Sequence, residues 1–598
     1  MYRAPLEDIT FILKELIGTQ ALAGCPDFAD YSSELATSVL SEAARFAETV
    51  LDPLYKSGDR EGARWTPEGV RTPQGFKEAY RQFVEGGWPQ LGASAEYGGQ
   101  NVPQMLSSAV AEIWASANLA FKLCPMLTHG AAHALALTGS AQQRRLYLPK
   151  MVSGEWTGTM VLTEPQAGSD LGLIRTRAVP EGDHYRLFGQ KIFITWGDHD
   201  FTDNIIHMVL ARIEGAPADT RGISLFLVPK VLVGADGSLG ERNEVRCVSI
   251  EHKLGIHASP TCALSFGDQR GALAYLIGEP NRGLESMFIM MNTARLAVGL
   301  EGYAVAERAF QQAADWARNR VQGKAAARAT APATIIQHQD VKRMLLTMRS
   351  SIEAMRALTL YAACQLDLAA HHRDAAVRDA AQARGDLLIP IVKGWCTELG
   401  IELTSTGIQV HGGMGYSEET GAAQCLRDAR ITAIYEGTTG IQANDLIGRK
   451  IGRDQGAAVQ ALLVDMGREL DELSAPARAT AAPPTGYESI RQCAVEALAL
   501  LRESTAALLE MRGARPELAL AVSVPFLKLC GFVIGAWLMA KSAALAAEAQ
   551  GGASAEFYSG KLLSARCYMQ QVLPQALALA RVVTRGAASV ADADPARI

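Results

Sequence analysis

Between Trp156 and about Gly283 the chain changes its period, and this change constrains the fold more than any single residue does. Runs such as HYRLFGQKIFITWG, DNIIHMVLARI, RGISLFLVPKV, EVRCVSIEHKLGI and TCALSFGD are rich in β-branched and aromatic residues and bounded by turn residues. They predict an antiparallel barrel or sandwich. On either side the apolar residues recur at helical spacing. SSELATSVLSEAARFAETVLDPLY and QMLSSAVAEIWASANLAFKL come before the β block, with the Gly- and Pro-punctuated loop GGWPQLGASAEYGGQNVP between them. After it come three long amphipathic stretches, from Leu284 to Arg320, Val341 to His371 and Asp386 to Gly413. Helices, then sheet, then helices predict α bundles flanking a β domain, an α+β multidomain chain.

At 598 residues the chain is long enough for roughly four domains of about 150 residues each. The pattern divides it into a leading extension (1–35), a helical domain (36–157), a β domain (158–280), a helical bundle (281–465), a linker (466–486) and a further helical unit (487–598). SAPARATAAPPTG, from Ser474 to Gly486, has the composition of a linker. After Ala475 the chain carries 12 Lys or Arg against 9 Asp or Glu, short of the clustered patch that a nucleic-acid surface requires. The whole chain has a net charge of −6, which also argues against nucleic acid as a partner.

The ten cysteines form no C-x-x-C pair and read as reduced thiols, and Glu7, Asp8, Lys14 and Glu15 interrupt any signal-peptide core. The expectation is a cytoplasmic protein. Leu518 to Ala540 is nearly long enough to span a bilayer, but Pro525 is expected to shorten the helix and Lys528 to disfavour insertion, so no membrane span is predicted. Asp198-His199-Asp200 reads as a solvated turn rather than a metal site, and no metal is expected. H-E-x-x-H, the Walker loop and G-x-S-x-G are all missing, and GGMGYSE lacks the last glycine of G-x-G-x-x-G.

Four segments remain: LTEPQAGSD (Leu162 to Asp170), FITWG (Phe193 to Gly197), QVHGGMGY (Gln409 to Tyr416) and IYEGTTGIQ (Ile434 to Gln442). Together they resemble the acyl-CoA dehydrogenase family over about Tyr31 to Lys450. The opening MYRAPLEDITF and the extra C-terminal unit look like its long subgroup, which includes bacterial 3-methylmercaptopropionyl-CoA dehydrogenases. The resemblance implies the family fold, with an N-terminal helical domain, a central antiparallel β domain and a C-terminal four-helix bundle, plus an additional helical domain. It also implies FAD-dependent α,β-dehydrogenation of a fatty acyl-CoA or 3-methylmercaptopropionyl-CoA to the trans-2-enoyl-CoA. A carboxylate takes the α-proton, the β-hydride goes to flavin N5, and electrons pass to an electron-transfer flavoprotein.

By the same resemblance Glu436 is the base. The apolar neighbours Ile434 and Tyr435 are expected to desolvate it and raise its pKa, as such a base needs. Read from the residue alone, Glu436 is equally a helix-start acid. Some members carry the base just before an arginine of a long helix, and that position is Ala294, which accepts no proton. Resemblance assigns Leu162, Thr163, Gly168 and Ser169, with Phe193, Ile194 and Thr195, to FAD. Phe193 stands where a ring-packing tryptophan is usual and Trp196 where asparagine is, so stacking is kept in kind.

Arg320 and Gln322, with Gln409, Gly412, Gly413 and Thr438, are implied to reach FAD from a neighbouring subunit, which implies a homodimer or higher oligomer. Ser169, Asn292, Arg295 and Gly437 are assigned to the acyl-CoA, and Arg295 reads equally as a structural ion-pair residue. The thioester oxygen is implied to rest on the Glu436 amide and a ribityl hydroxyl. Lys253, His257 and Ser259 read as structural. The alternatives are an acyl-CoA oxidase of the same fold, a non-redox DNA-binding flavoprotein of the alkylation-response type, and a membrane-surface enzyme.

Overall fold

A computed structural model describes residues 1–325, 331–473, 487–549 and 554–597. The expected linker segment 474–486 lies outside the described residues, and the helix Ala457–Glu472 occupies the first part of the range 466–486. The chain divides into two compact units. One comprises Arg45–Val102 with Ala117–Ala297, the other Met1–Ala44 with Pro103–Ser116 and Val298–Ile598. The helix Ser33–Phe46 runs across the expected boundary at residue 35.

The first unit is built on an eight-stranded sheet. Its strands are β1 (Thr157–Val161), β2 (Arg177–Glu181), β3 (His184–Thr195), β4 (Ile205–Ile213), β5 (Ile223–Pro229), β6 (Val245–Ile250), β7 (Thr261–Phe266) and β8 (Ala272–Ile277). They run in the order β6-β7-β3-β8-β5-β4-β1, with β2 against β3 and β4. The pairs are antiparallel except that β4 runs parallel to both β1 and β2. Period-two alternation builds two cores from one strand. Ile206, Met208 and Leu210 face a layer containing Leu127, Leu135, Tyr147, Trp156, Met287 and Met290, while Val209 and Ala211 face Leu187, Ile194, Phe226 and Phe266. A small ribbon, Arg64–Thr66 against Gly69–Arg71, interrupts the first helical region, where Pro67 and Gly69 supply the turn.

The second unit is helical. Its long helices include α1 (Gln104–Thr138), α2 (Gly283–Asn319), α3 (Gln339–His371), α4 (Ala375–His411), α5 (Tyr487–Ala514) and α6 (Ser523–Glu548), of which α1 and α2 continue into the first unit. Asn118, at φ −160° and ψ 91°, breaks α1, and its Oδ1 accepts the Phe121 N–H at 3.2 Å to restart the helix. Helix α6 corrects the expectation about Pro525. The proline sits in the first turn, where its missing N–H costs nothing, and the helix runs 26 residues. That is long and apolar enough to cross a membrane, yet 83% of its apolar window is buried inside the protein. Lys528 and Lys541 leave its sides to meet Glu402 at 3.4 Å and Glu469 at 2.7 Å.

A buried ion cluster joins distant parts of this unit. The Arg356 guanidinium, 1% exposed, donates to Glu112 at 2.7 Å, to Glu307 at 2.8 Å and to Asp8. Lys561 Nζ donates to Glu353 at 2.8 Å and also to Asp8, and Arg349 Nε reaches Glu353 at 2.8 Å.

Candidate active site

Glu436 stands in a turn between two short helical segments, Ile431–Ala433 and Thr439–Asp445. Its φ is +55°, and that of Gly437 is +92°. Such a conformation costs a non-glycine residue roughly 1–3 kcal/mol and persists where its surroundings determine it. Here they do. Gln442, fully buried, donates from Nε2 to the Glu436 carbonyl at 3.0 Å and the Gly437 carbonyl at 3.4 Å. Lys393, fully buried on α4, donates from Nζ to the Gly437 carbonyl at 2.6 Å. The Tyr435 hydroxyl donates to Glu301 on α2, and burial pushes that phenol far above its ordinary range. Thr438 Oγ1 caps the following helix, accepting the Ile441 N–H at 3.3 Å, and Thr439 Oγ1 donates to Glu398 at 2.6 Å.

Glu436 itself is half-buried. Of the two neighbours expected to desolvate it, Ile434 is 46% exposed, while the Tyr435 hydroxyl is bonded to Glu301 and its phenol also feels the Glu436 charge. Ala294 is buried in the first unit's core.

In the first unit, Leu162, Thr163, Gly168 and Ser169 form a loop beside the end of β3. The Thr163 carbonyl accepts the Ile192 N–H at 3.0 Å, and the Leu162 carbonyl accepts from Lys191 Nζ at 2.7 Å. Within the same loop lies the buried Glu164, to which the motif assigns no role. Its carboxylate accepts from the Arg175 N–H at 2.7 Å, the Thr176 N–H at 3.0 Å and the Thr176 hydroxyl at 2.6 Å, and pairs with Lys191 at 2.9 Å. Burial opposes its charge, but Lys191, the Thr176 hydroxyl and the Arg175 N–H together hold its pKa down to about 2.

Above this anchor Gly168 and Ser169 are exposed, and a Cβ added at Gly168 would meet nothing within 4 Å. Phe193, at φ +59° and 58% exposed, presents its ring at the strand end. Ile194 points into the sheet core, leaving only its backbone available, and Thr195 is half-buried opposite Thr261. Trp196 is buried; its Nε1 donates to the Ala120 carbonyl at 3.2 Å and its ring packs on Phe201 at 4.7 Å, so the exposed ring is that of Phe193 alone. Hydroxyls and open backbone above an inward-turned carboxylate fit a flavin edge and its pyrophosphate.

Asp198-His199-Asp200 is not a solvated turn. Asp198 accepts the Val70 N–H at 3.0 Å and pairs with Lys230 at 2.5 Å, His199 Nε2 meets Thr157 Oγ1 at 2.9 Å, and Asp200 accepts from Thr72 Oγ1 at 2.7 Å. Burial pushes the His199 pKa well below the usual imidazole range. Among the described residues no group of three His, Cys, Asp or Glu side chains is placed to hold a metal ion. Arg295 is buried, 3.5 Å from Asn292 Oδ1 one turn away. Lys253 Nζ donates to the Ser259 carbonyl at 2.9 Å, and His257 contacts Asp59 at 3.0 Å.

In the second unit, His411 stacks on Trp316 with ring centroids 5.3 Å apart, bringing the ends of α4 and α2 together. Gln409, Gly412 and Gly413 at one of these ends and Arg320 and Gln322 at the other are all exposed, as is Thr438. Arg320 Nη2 lies 3.4 Å from Gln322 Oε1. Sequence reasoning passed over Gln442 although it lies within the quoted IYEGTTGIQ, and Lys393 is a lone lysine in an apolar helical stretch.

Comparison with known proteins is consistent across the chain. Acyl-CoA dehydrogenase family profiles match in series: the N-terminal domain over residues 33–155, the middle domain over 159–269 and the C-terminal domain over 281–451. A profile described as acetyl-CoA dehydrogenase C-terminal like matches 469–594. The chain is 46% identical over 576 residues, 96% of both chains, to 3-methylmercaptopropionyl-CoA dehydrogenase of Ruegeria pomeroyi. It is 35% identical, over 96% of both chains, to the broad-specificity linear acyl-CoA dehydrogenase FadE5 of Mycobacterium tuberculosis. An acyl-CoA dehydrogenase from Bacillus anthracis solved with FAD has the same fold, at a TM-score of 0.74 and 21% identity, covering 96% of this chain and 92% of that one. The chain belongs to the acyl-CoA dehydrogenase family, oxidoreductases acting on acyl-CoA, with an additional helical region at its C-terminus.

Proposed function

We propose that this protein is an FAD-dependent acyl-CoA dehydrogenase in which Glu436 removes the α-proton of the bound thioester. The observation that carries this reading is the Glu436 turn, a carboxylate held in left-handed backbone by buried donors on its own and the next carbonyl. A base presented this way is aimed before substrate arrives, and proximity of that kind contributes several kcal/mol to a proton transfer. The Glu436 N–H is the chain's donor to the thioester oxygen, acidifying the α-carbon, and Gly437 lets the thioester lie against backbone.

FAD, when bound, supplies the two-electron acceptor for the hydrogen leaving the β-carbon. Thr163, Ser169 and Thr195 hold its polar edge, the Leu162 and Ile194 backbone and the open backbone at Gly168 admit it closely, and Phe193 packs on its ring. Arg320, Gln322, Gln409, Gly412, Gly413 and Thr438 serve the FAD of a second copy in a homodimer or larger assembly, where the Arg320 guanidinium suits a pyrophosphate. Ser169, Asn292 and Arg295 serve the CoA ester.

The preferred substrate is 3-methylmercaptopropionyl-CoA, supported by the 46% identity to the Ruegeria pomeroyi enzyme over nearly the full chain. A second reading, straight-chain acyl-CoA, is favoured by the 35% identity to the Mycobacterium tuberculosis enzyme. An electron-transfer flavoprotein accepts the electrons in a cytoplasmic setting, and the domain scheme is kept with its first boundary moved ahead of the helix Ser33–Phe46 and its linker begun after the helix Ala457–Glu472. The test is kcat/KM with an electron-transfer flavoprotein across 3-methylmercaptopropionyl-CoA and straight chains from four to sixteen carbons. A value for the thioether substrate at least tenfold above every straight chain supports the first reading. A maximum on a straight chain replaces it with the second.

A further inference from the structure

Glu436 sits in a turn whose two consecutive carbonyls, those of Glu436 and Gly437, both accept hydrogen bonds from buried side chains of the same helical unit. We infer that Lys393 and Gln442 are positioning residues for this base: they hold the carbonyls of Glu436 and Gly437, and through these two peptides the direction of the carboxylate, without touching the substrate. The inference rests on Glu436 being the base.

Lys393 is fully buried on α4, and its ammonium donates at 2.6 Å to a backbone carbonyl. Desolvating a lysine is unfavourable, so a simple structural plug in this apolar stretch would be served as well by Leu or Met. The ammonium makes a short, charge-assisted bond to the Gly437 carbonyl, which neither Leu nor Met could supply. Gln442 shares the Gly437 carbonyl with Lys393 and adds that of Glu436, its Nε2 donating to both. Its Oε1 is buried with no hydrogen-bond partner among the described residues, so the amide is held only by the bonds to the turn. Both consecutive residues have positive φ, and a Cβ on Gly437 would lie 2.6 Å from Gln442 Nε2, so glutamine and turn are fitted to each other. Thr439, bonded to Glu398 on α4 one turn beyond Lys393, fixes the far side of the loop.

The test compares holoenzymes of the wild type, Lys393→Met, Gln442→Met, the double variant and Glu436→Gln. Three properties are read: kcat and KM with the best acyl-CoA, FAD content, and exchange of the α-protons of acetyl-CoA with D2O followed by NMR. Acetyl-CoA has α-hydrogens but no β-carbon to oxidise, so its exchange reports the base alone. Each single variant is expected to lose 10- to 100-fold in kcat and in α-exchange, with KM within about threefold and FAD content unchanged. The double variant should be little worse than the poorer single, since both act on one turn. If Lys393→Met does not fold, Gln442→Met carries the same test. Variants that keep kcat and exchange within twofold of wild type while Glu436→Gln is inactive overturn the positioning role. An active Glu436→Gln overturns the base assignment itself.

Discussion

Glu436 and Gly437 hold consecutive left-handed dihedrals, and only the second is a glycine. Gly437→Ala is therefore expected to cost ~1–3 kcal/mol locally and to lower kcat at least tenfold, because the new Cβ would collide with Gln442. An alanine variant with wild-type kcat would mean that the turn does not set the base. Glu164 makes a prediction about pH. Its pKa in the folded protein, about 2, lies below its ordinary 4.5, so its contribution to stability is complete above pH 4.5 and is lost as pH falls toward 2. In urea unfolding between pH 7 and 3, the stability gap between wild type and Glu164→Gln should shrink as pH falls. A constant gap would refute this. Glu436 stands in a motif that local sequence makes legible, since Ile434 to Gln442 are contiguous. Lys393 was illegible, since its meaning lies in a carbonyl 44 residues away.

At the level of elements, the β block was legible because its alternation has a physical cause, two cores on the two faces of one sheet. The Arg64–Arg71 ribbon was not legible, since strands three residues long carry too little pattern. Helix α6 was legible as apolar but not as a complete element, because a proline breaks a helix interior yet fits its first turn, and sequence alone does not fix where the helix starts. Its packing gives a sharp test. Gly531 faces Trp395 on α4, and a Cβ there would lie 2.2 Å from the indole Cγ. Gly531→Ala should destabilise by about 1–3 kcal/mol, seen as a lower Tm with FAD content retained. An unchanged Tm would mean that the two helices do not pack as described. Since the apolar face of α6 is already covered, the protein should stay at the bottom of a liposome flotation gradient. Flotation would contradict that burial.

At the scale of the molecule, the ion cluster of the helical unit connects residues far apart in sequence. Asp8 and Lys561 are 553 residues apart in sequence, and no motif could have paired them. Burial opposes the Asp8 charge, yet Lys561 and Arg356 hold its pKa at about 2. Lys561→Met would leave Asp8 and Glu353 with one cation fewer and should destabilise by about 3–5 kcal/mol, read as loss of stability in urea at neutral pH. A loss under 1 kcal/mol would mean that the cluster does not tie the chain's first residues to its last helices. The opening segment and the additional helices thus belong to the folding of the unit that carries Glu436.

The role of Glu436 is tested by an anaerobic titration of the purified protein with 3-methylmercaptopropionyl-CoA, followed by visible absorbance, in wild type and Glu436→Gln. The flavin spectrum should bleach stoichiometrically in the wild type and at least a thousandfold more slowly in the variant, roughly 4 kcal/mol in the barrier. Bleaching at equal rates in both would contradict the assignment of Glu436 as the base.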